Sequence, residues 1–148
     1  MKTIVIYASV HHGNTEKISK VISETLNCKM VKAETVDVTT LKDYDLIGFG
    51  SGIYAGKFHK NIVKLIDTLP NNFGKKAFVY STSGQGKTNY NSSIRSKLQE
   101  KALEIVGEFA CKGFNTFGPL KLFGGINKGR PNSDDVQAAK IFAQKLIK

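Results

Sequence analysis

Short apolar runs alternate with helical patterns along the whole chain, and few architectures accommodate that alternation. Ile4-Val5-Ile6-Tyr7-Ala8, Leu46-Ile47-Gly48-Phe49-Gly50 and Ala77-Phe78-Val79-Tyr80 have no polar face. Between them Ile18, Val21, Ile22 and Leu26, then Ile62, Leu65, Ile66 and Leu69, recur at helical spacing. Strands apolar on both sides must be covered on both faces, so the pattern predicts a parallel sheet layered between helices. Strands are expected at 3–8, 28–36 (the weakest), 45–50, 76–82 and 109–111. Helices are expected at 14–26, about 58–69, about 91–106 and 133–147. Pro70-Asn71-Asn72 stops the second helix, and Ser133-Asp134-Asp135 supplies a cap and acids for the last. Residues 115–132, with four glycines and two prolines, read as a loop. The 148 residues suit a single domain, 1–148, with one core.

In open sheets of this kind, ligands bind beyond the carboxyl ends of the strands, near the point where the strand order reverses. That rule singles out three loops. After the first strand comes Ser9-Val10-His11-His12-Gly13-Asn14-Thr15, which opens directly into a helix. Backbone N–H groups, the side chains of Ser9, Asn14 and Thr15, and a positive helix end can all address one anion there. The loop lacks the Lys-Ser/Thr pair of a Walker A motif and the three glycines of a dinucleotide fingerprint, which favours one phosphate and hence a mononucleotide. The bland alternative is an ordinary connector in which Ser9 and Thr15 are turn and cap residues. His11 and His12 flank this loop, where partial charge would strengthen phosphate binding.

The loop after the third strand, Ser51-Gly52-Ile53-Tyr54-Ala55-Gly56, offers an apolar-aromatic pair suited to a flat ring. The loop after the fourth, Ser83-Gly84-Gln85-Gly86, offers backbone polar groups and one amide for a heterocycle edge. Phosphate anchor, aromatic wall and polar edge together describe a flat aromatic mononucleotide.

The three loops together resemble those of the flavodoxin family. Ser9 to Thr15 is similar to its FMN phosphate loop, Ser51 to Gly56 to the loop that lies against the isoalloxazine ring, and Ser81 to Gly84 to its third FMN loop. Phe109 to Pro119 resembles a stretch of small flavodoxin-like proteins, so the likeness covers essentially the whole chain. It implies an α/β, doubly wound five-stranded parallel sheet in the order 2-1-3-4-5 with helices on both faces. It also implies non-covalently bound FMN and electron transfer in the short-chain form. Three departures stand out. The third loop lacks the family's frequent Asp-Tyr pair. Ala55 stands where many members have glycine. The chain is strongly basic where family carriers are usually acidic.

Charge shapes the expected partners. Lys and Arg number 22 against 12 Asp and Glu, a formal +10, and Lys57 to Lys101 carries nine bases with only Asp67 and Glu100. Such a field favours acidic redox partners. The bases form no nucleic-acid signature, so nucleic acid is not an expected partner. No apolar run approaches the roughly 20 residues of a membrane helix, and the N-terminus reads as a strand rather than a leader. A cytoplasmic monomer or weak dimer is the expectation. Cys28 and Cys111 have neither metal-ligand nor redox-motif spacing and read as reduced thiols buried in strands. No metal site and no catalytic acid, base or nucleophile stands out. An FMN-dependent oxidoreductase acting on a quinone or porphyrin-like substrate is the alternative to a carrier. A non-redox phosphate-binding module is disfavoured, because Tyr7-Ala8-Ser9 lacks a receiver's clustered acids.

Overall fold

A computed structural model describes residues 1–10, 12–114 and 124–148. The parallel strands are β1 (Thr3–Ala8), β2 (Lys29–Lys32), β3 (Leu46–Tyr54), β5 (Lys76–Ser83) and β6 (Glu104–Lys112), with a short β4 (Lys57–Phe58) antiparallel to the end of β3. Their order is β2-β1-β3-β5-β6. Setting aside the hairpin strand β4, this is the expected 2-1-3-4-5 arrangement. The order reverses between β1 and β3, and those carboxyl ends lie side by side, with Ala8 opposite Ser51.

Side-chain alternation along the strands divides the core into two layers. Ile4, Ile6, Ile47, Phe49, Ala77 and Val79 point to one face. There they meet α2 (Lys60–Asp67) through Ile62, Leu65 and Ile66, and α3 (Ser92–Glu100) through Ile94 and Leu98. Val5, Leu46, Phe78, Tyr80 and Cys111 point to the other. They meet α1 (Asn14–Leu26) through Ile18 and Ile22, and α4 (Ser133–Leu146) through Ala139 and Ala143.

Gly48 and Gly50 lie in register with Phe78 and Tyr80, and the rings fill the space a side chain would take. Tyr80 is wholly buried. Its hydroxyl shares a 2.5 Å hydrogen bond with Ser19 Oγ, which in turn donates to Thr15 O at 2.7 Å. A tyrosine under the sheet is thereby tied to the first turn of α1.

Several expected boundaries move. The expected helix at 91–106 ends at Glu100, because Ala102 turns left-handed (φ 64°) and Leu103 N–H bonds back to Leu98 O. Ile105 and Val106 therefore belong to β6, which is nine residues long rather than three. The second strand is only four residues, and Val38–Asp43 forms a 3-10 turn capped by Asp37. The last helix is capped by Asn132, not Ser133. Asn132 Oδ1 accepts from Asp135 N–H, while Asp135 accepts from Asn132 N–H. Ile147, expected to face the core, is 54% exposed.

Cys28 is half-buried and stands one residue before β2, whereas Cys111 is buried in β6. Both are free. The outer strands are four neighbour steps apart, about 19 Å at about 4.8 Å per step, so no intramolecular disulfide can form. Burial pushes the Cys28 thiol up to about 11 and Cys111 up to about 12. Both groups hold their protons more tightly folded than unfolded. The stability they contribute is complete below the unfolded thiol value of about 8.5 and is lost as pH rises towards 11–12. Native protein should therefore react slowly with iodoacetamide at pH 8, both thiols should react at once on unfolding, and urea midpoints should fall above pH 9. Rapid native alkylation of Cys111 would contradict its placement.

Candidate functional site

The three strand ends meet at one edge of the sheet. At the first, the chain leaves β1 and turns through His12 (φ 54°) and Gly13 (φ 64°, ψ 25°), both left-handed, into α1. Successive residues in this conformation aim backbone N–H groups into one concavity, and the first turn of a helix carries N–H groups with no intrahelical acceptor. A Cβ built on Gly13 meets no atom of the described residues within 4 Å, so they leave the space beside the turn open. Ser9 Oγ accepts from Glu16 N–H at 3.2 Å and pins the loop to the helix. The Glu16 carboxylate is occupied by the Tyr7 hydroxyl, 2.8 Å away. Burial, then that contact, raises Tyr7 to about 12.

The second segment is a strand end rather than the expected loop. β3 continues through Ser51, Gly52, Ile53 and Tyr54, then reverses at Ala55 (φ 52°) and Gly56 (φ 79°) into β4. Two successive positive φ angles are what a tight two-residue hairpin requires, so the alanine and the glycine both adopt the left-handed form. The Tyr54 ring folds back over Gly52, whose Cβ would lie 2.7 Å from the Tyr54 hydroxyl. That hydroxyl accepts from Val10 N–H at 3.1 Å and so joins the second segment to the first. The ring also meets His59 edge-on, with centroids 5.5 Å apart. Burial raises the Tyr54 phenol above its ordinary value, against the opposing effect of the Val10 N–H.

At the third strand end, Thr82 Oγ1 lies 2.8 Å from Thr15 Oγ1, both buried, linking β5 to the first turn of α1. Ser83 Oγ accepts from Gly86 N–H at 2.8 Å and closes the turn, and Gln85 is exposed at its tip. Gly86 is left-handed and sits too close to Lys112 for a side chain.

Not every residue singled out from the sequence lines this opening. Ser51 is fully buried, donating to Gly52 O at 2.6 Å and accepting from His59 N–H at 2.9 Å. Ser81 is fully buried with the parity of Ala77 and Val79, and Ile53 packs on the same cluster. These three support the strand ends from below, because strand alternation turns them inward. Asn14 is committed too: its amide donates to Phe114 O at 2.8 Å. His12 is exposed and its ring meets that of Phe114 at a tilt of 36°, with centroids 4.2 Å apart, while His11 lies outside the described residues.

A model of the flavodoxin domain family matches residues 4–117, which include all three strand ends. The chain belongs to the flavodoxin domain family. An uncharacterized protein of Methanocaldococcus jannaschii is 48% identical over 150 residues, covering 100% of this chain and 99% of that one. A flavodoxin from the domain Archaea superposes with a TM-score of 0.71 at 20% identity, over 99% of this chain and 96% of that one. Oxidised flavodoxin 2 from Bacillus cereus also gives 0.71, at 21% identity, over 99% and 98%.

Within this flavodoxin domain, patterning missed Phe114 and Asn127. Both reach the site from late in the chain, and Asn127 Nδ2 donates to Gly84 O at 2.7 Å. Phe114 lies in the stretch 109–119 that resembles small flavodoxin-like proteins and Asn127 in the connector at 115–132, but only contacts in space show that either reaches the site. Among the described residues, no three His, Cys, Asp or Glu side chains cluster to hold a metal, and no helix is long and apolar enough to cross a membrane.

Proposed function

We propose that this protein binds FMN non-covalently at the three strand ends and carries electrons between redox proteins. The observation that carries this reading is the convergence of three segments through two hydrogen bonds, Val10 to Tyr54 and Thr15 to Thr82, beside a helix start where no described residue crowds Gly13. Family membership supports it. Backbone N–H groups from His12 to Thr15 suit the phosphate, with Ser9 and Thr15 fixing the loop that presents them. Tyr54 suits one side of the ring. The backbone of Gly84, Gln85 and Gly86 suits its polar edge. Bound FMN would supply the capacity to accept and pass on electrons, while the chain binds, orients and shields it.

The exposed Lys57 and Lys87 follow the second and third segments directly, and Lys60 opens α2 nearby. This basic rim suits an acidic redox partner, and two free thiols fit a reducing, cytoplasmic setting.

Titrating the apoprotein with FMN and riboflavin tests the reading. FMN should bind far more tightly, because phosphate bonds to backbone N–H groups are charge-assisted, each worth roughly 1.5–3 kcal/mol. Tyr54→Ala should weaken both ligands and raise residual flavin fluorescence. Electron transfer to an acidic partner should slow as salt rises from about 0.01 to 0.1 M. Equal affinity for the two flavins would overturn the phosphate loop. Rapid turnover of a quinone would favour the oxidoreductase alternative.

A further inference from the structure

The start of the third segment is gripped from a stretch that sequence patterning reads only as a connector. The Asn127 amide donates to Gly84 O at 2.7 Å and to Gly113 O at 3.3 Å, and Gly113 N–H donates to Ser83 O at 3.0 Å. Asn127 is itself held in place. Its backbone is left-handed (φ 58°), a conformation asparagine tolerates better than most residues. Arg130 N–H closes a turn onto Asn127 O at 2.9 Å, and Arg130 O accepts from Phe114 N–H at 2.9 Å. The Arg130 guanidinium makes two bonds to Asp135 in the cap of α4, and Lys17 Nζ reaches Pro131 O at 2.6 Å. Asn14 then ties Phe114 back to the phosphate loop. The turn at 127–130 is thus fastened to α1, to the chain just after β6 and to α4, and the side chain that bonds the third loop is a neutral amide.

We propose that Asn127 is a positioning residue that sets the loop facing the polar edge of the flavin ring. It rests on the FMN reading above. By taking the Gly84 carbonyl, Asn127 fixes the orientation of that peptide and leaves the other polar groups of Gly84 to Gly86 for the ligand. It does so without adding negative charge beside the ring.

The test compares Asn127→Gly, which keeps the left-handed backbone and deletes the amide, with Asn127→Asp, which keeps the shape, removes the donor and adds a charge. FMN and riboflavin should both bind about tenfold more weakly to each variant, the scale of one partly buried carbonyl left without its donor, with their ratio unchanged. The flavin midpoint potential should become more negative in Asn127→Asp alone. In the apoprotein, amide hydrogen exchange should accelerate at Gln85 to Lys87 but not in β3 or β5.

Unchanged affinities with unchanged exchange would overturn the proposal. Weakening confined to FMN would also overturn it, because Asn127 would then act through the phosphate loop. If the unmodified protein binds no FMN, the functional reading falls. The exchange pattern then decides the positioning role by itself. Should Asn127→Gly fail to fold, the isosteric Asn127→Asp carries every readout.

Discussion

Replacing Gly50 with alanine should lower the unfolding midpoint by about 10 °C. The added Cβ would lie 2.0 Å from Tyr80 Cζ and 2.2 Å from Cε2, well inside contact distance. Tyr80 cannot simply swing away. It is wholly buried, stacks on Phe78 at 6.1 Å and is tethered by its hydroxyl to Ser19. Overpacking a close-packed core costs roughly 1–3 kcal/mol, and loss of the tether adds about 1 kcal/mol. At about 2–4 °C per kcal/mol for a domain near this size, a total of about 2–4 kcal/mol spans roughly 4–16 °C, with the stated shift near its middle. In urea the midpoint should fall while the slope holds. Adding Tyr80→Leu removes the clashing ring, so the double variant should lose less than the sum of the singles. A change of less than about 2 °C, set against that same scale, would mean that Tyr80 does not cover Gly50.

Asp135→Ala should cost about 3 kcal/mol: it keeps the Asn132 cap but loses the return bond from Asn132 N–H (about 1 kcal/mol) and the charge-assisted bonds to Arg130 (about 1.5–3 kcal/mol). The Asp135 side chain is only 8% exposed and accepts from Arg130 Nε at 2.5 Å, Arg130 Nη2 at 2.7 Å and Asn132 N–H at 2.7 Å. The Arg130 bonds, ahead of the Asn132 bond, hold its carboxyl below the usual carboxylate range. A lowered folded value means that this stability is present above the unfolded value of about 3.9 and is lost as pH falls through the folded one. The parent protein should therefore destabilise below about pH 4, and Asp135→Ala should flatten that part of its acid profile. Because Arg130 also closes the turn that bears Asn127, flavin affinity should fall with stability. Intact affinity in a destabilised variant would separate the cap from the site.

Much of the scaffold was legible because its signals are local. β1 and α1 match their expected bounds, since an apolar run followed by Gly13 and a helical stripe admits few alternatives. The strand order followed from family resemblance. The misplaced end of α3 has a specific cause. Ile94, Leu98, Ala102, Ile105 and Val106 keep helical spacing, and the left-handed residue that stops the helix is an alanine without the usual glycine signal. The extension of β3 was hidden for the opposite reason. Gly52, beside Ser51, looks like a loop residue, but it stays in the strand and makes room for the ring of Tyr54. Within the site, the three segments could be read from position alone. Which hydroxyls point inward, and the ties made by Phe114 and Asn127, could not. Those bonds span 100 and 43 residues and leave no trace in spacing.

The Asn14–Phe114 bond also bears on the timing of assembly. A ribosome delivers Asn14 and the loop before α1 among the first residues, yet the partner of Asn14 emerges 100 residues later, and the Asn127 turn later still. At about 5–20 residues per second this is a delay of roughly 5–20 s, long compared with the formation of a helix or hairpin. The strands β1 to β5 can therefore pair on the nascent chain while its ligand pocket is still unfastened. Cofactor capture becomes a late, nearly post-translational event, and a stalled chain ending before residue 124 should fail to retain flavin.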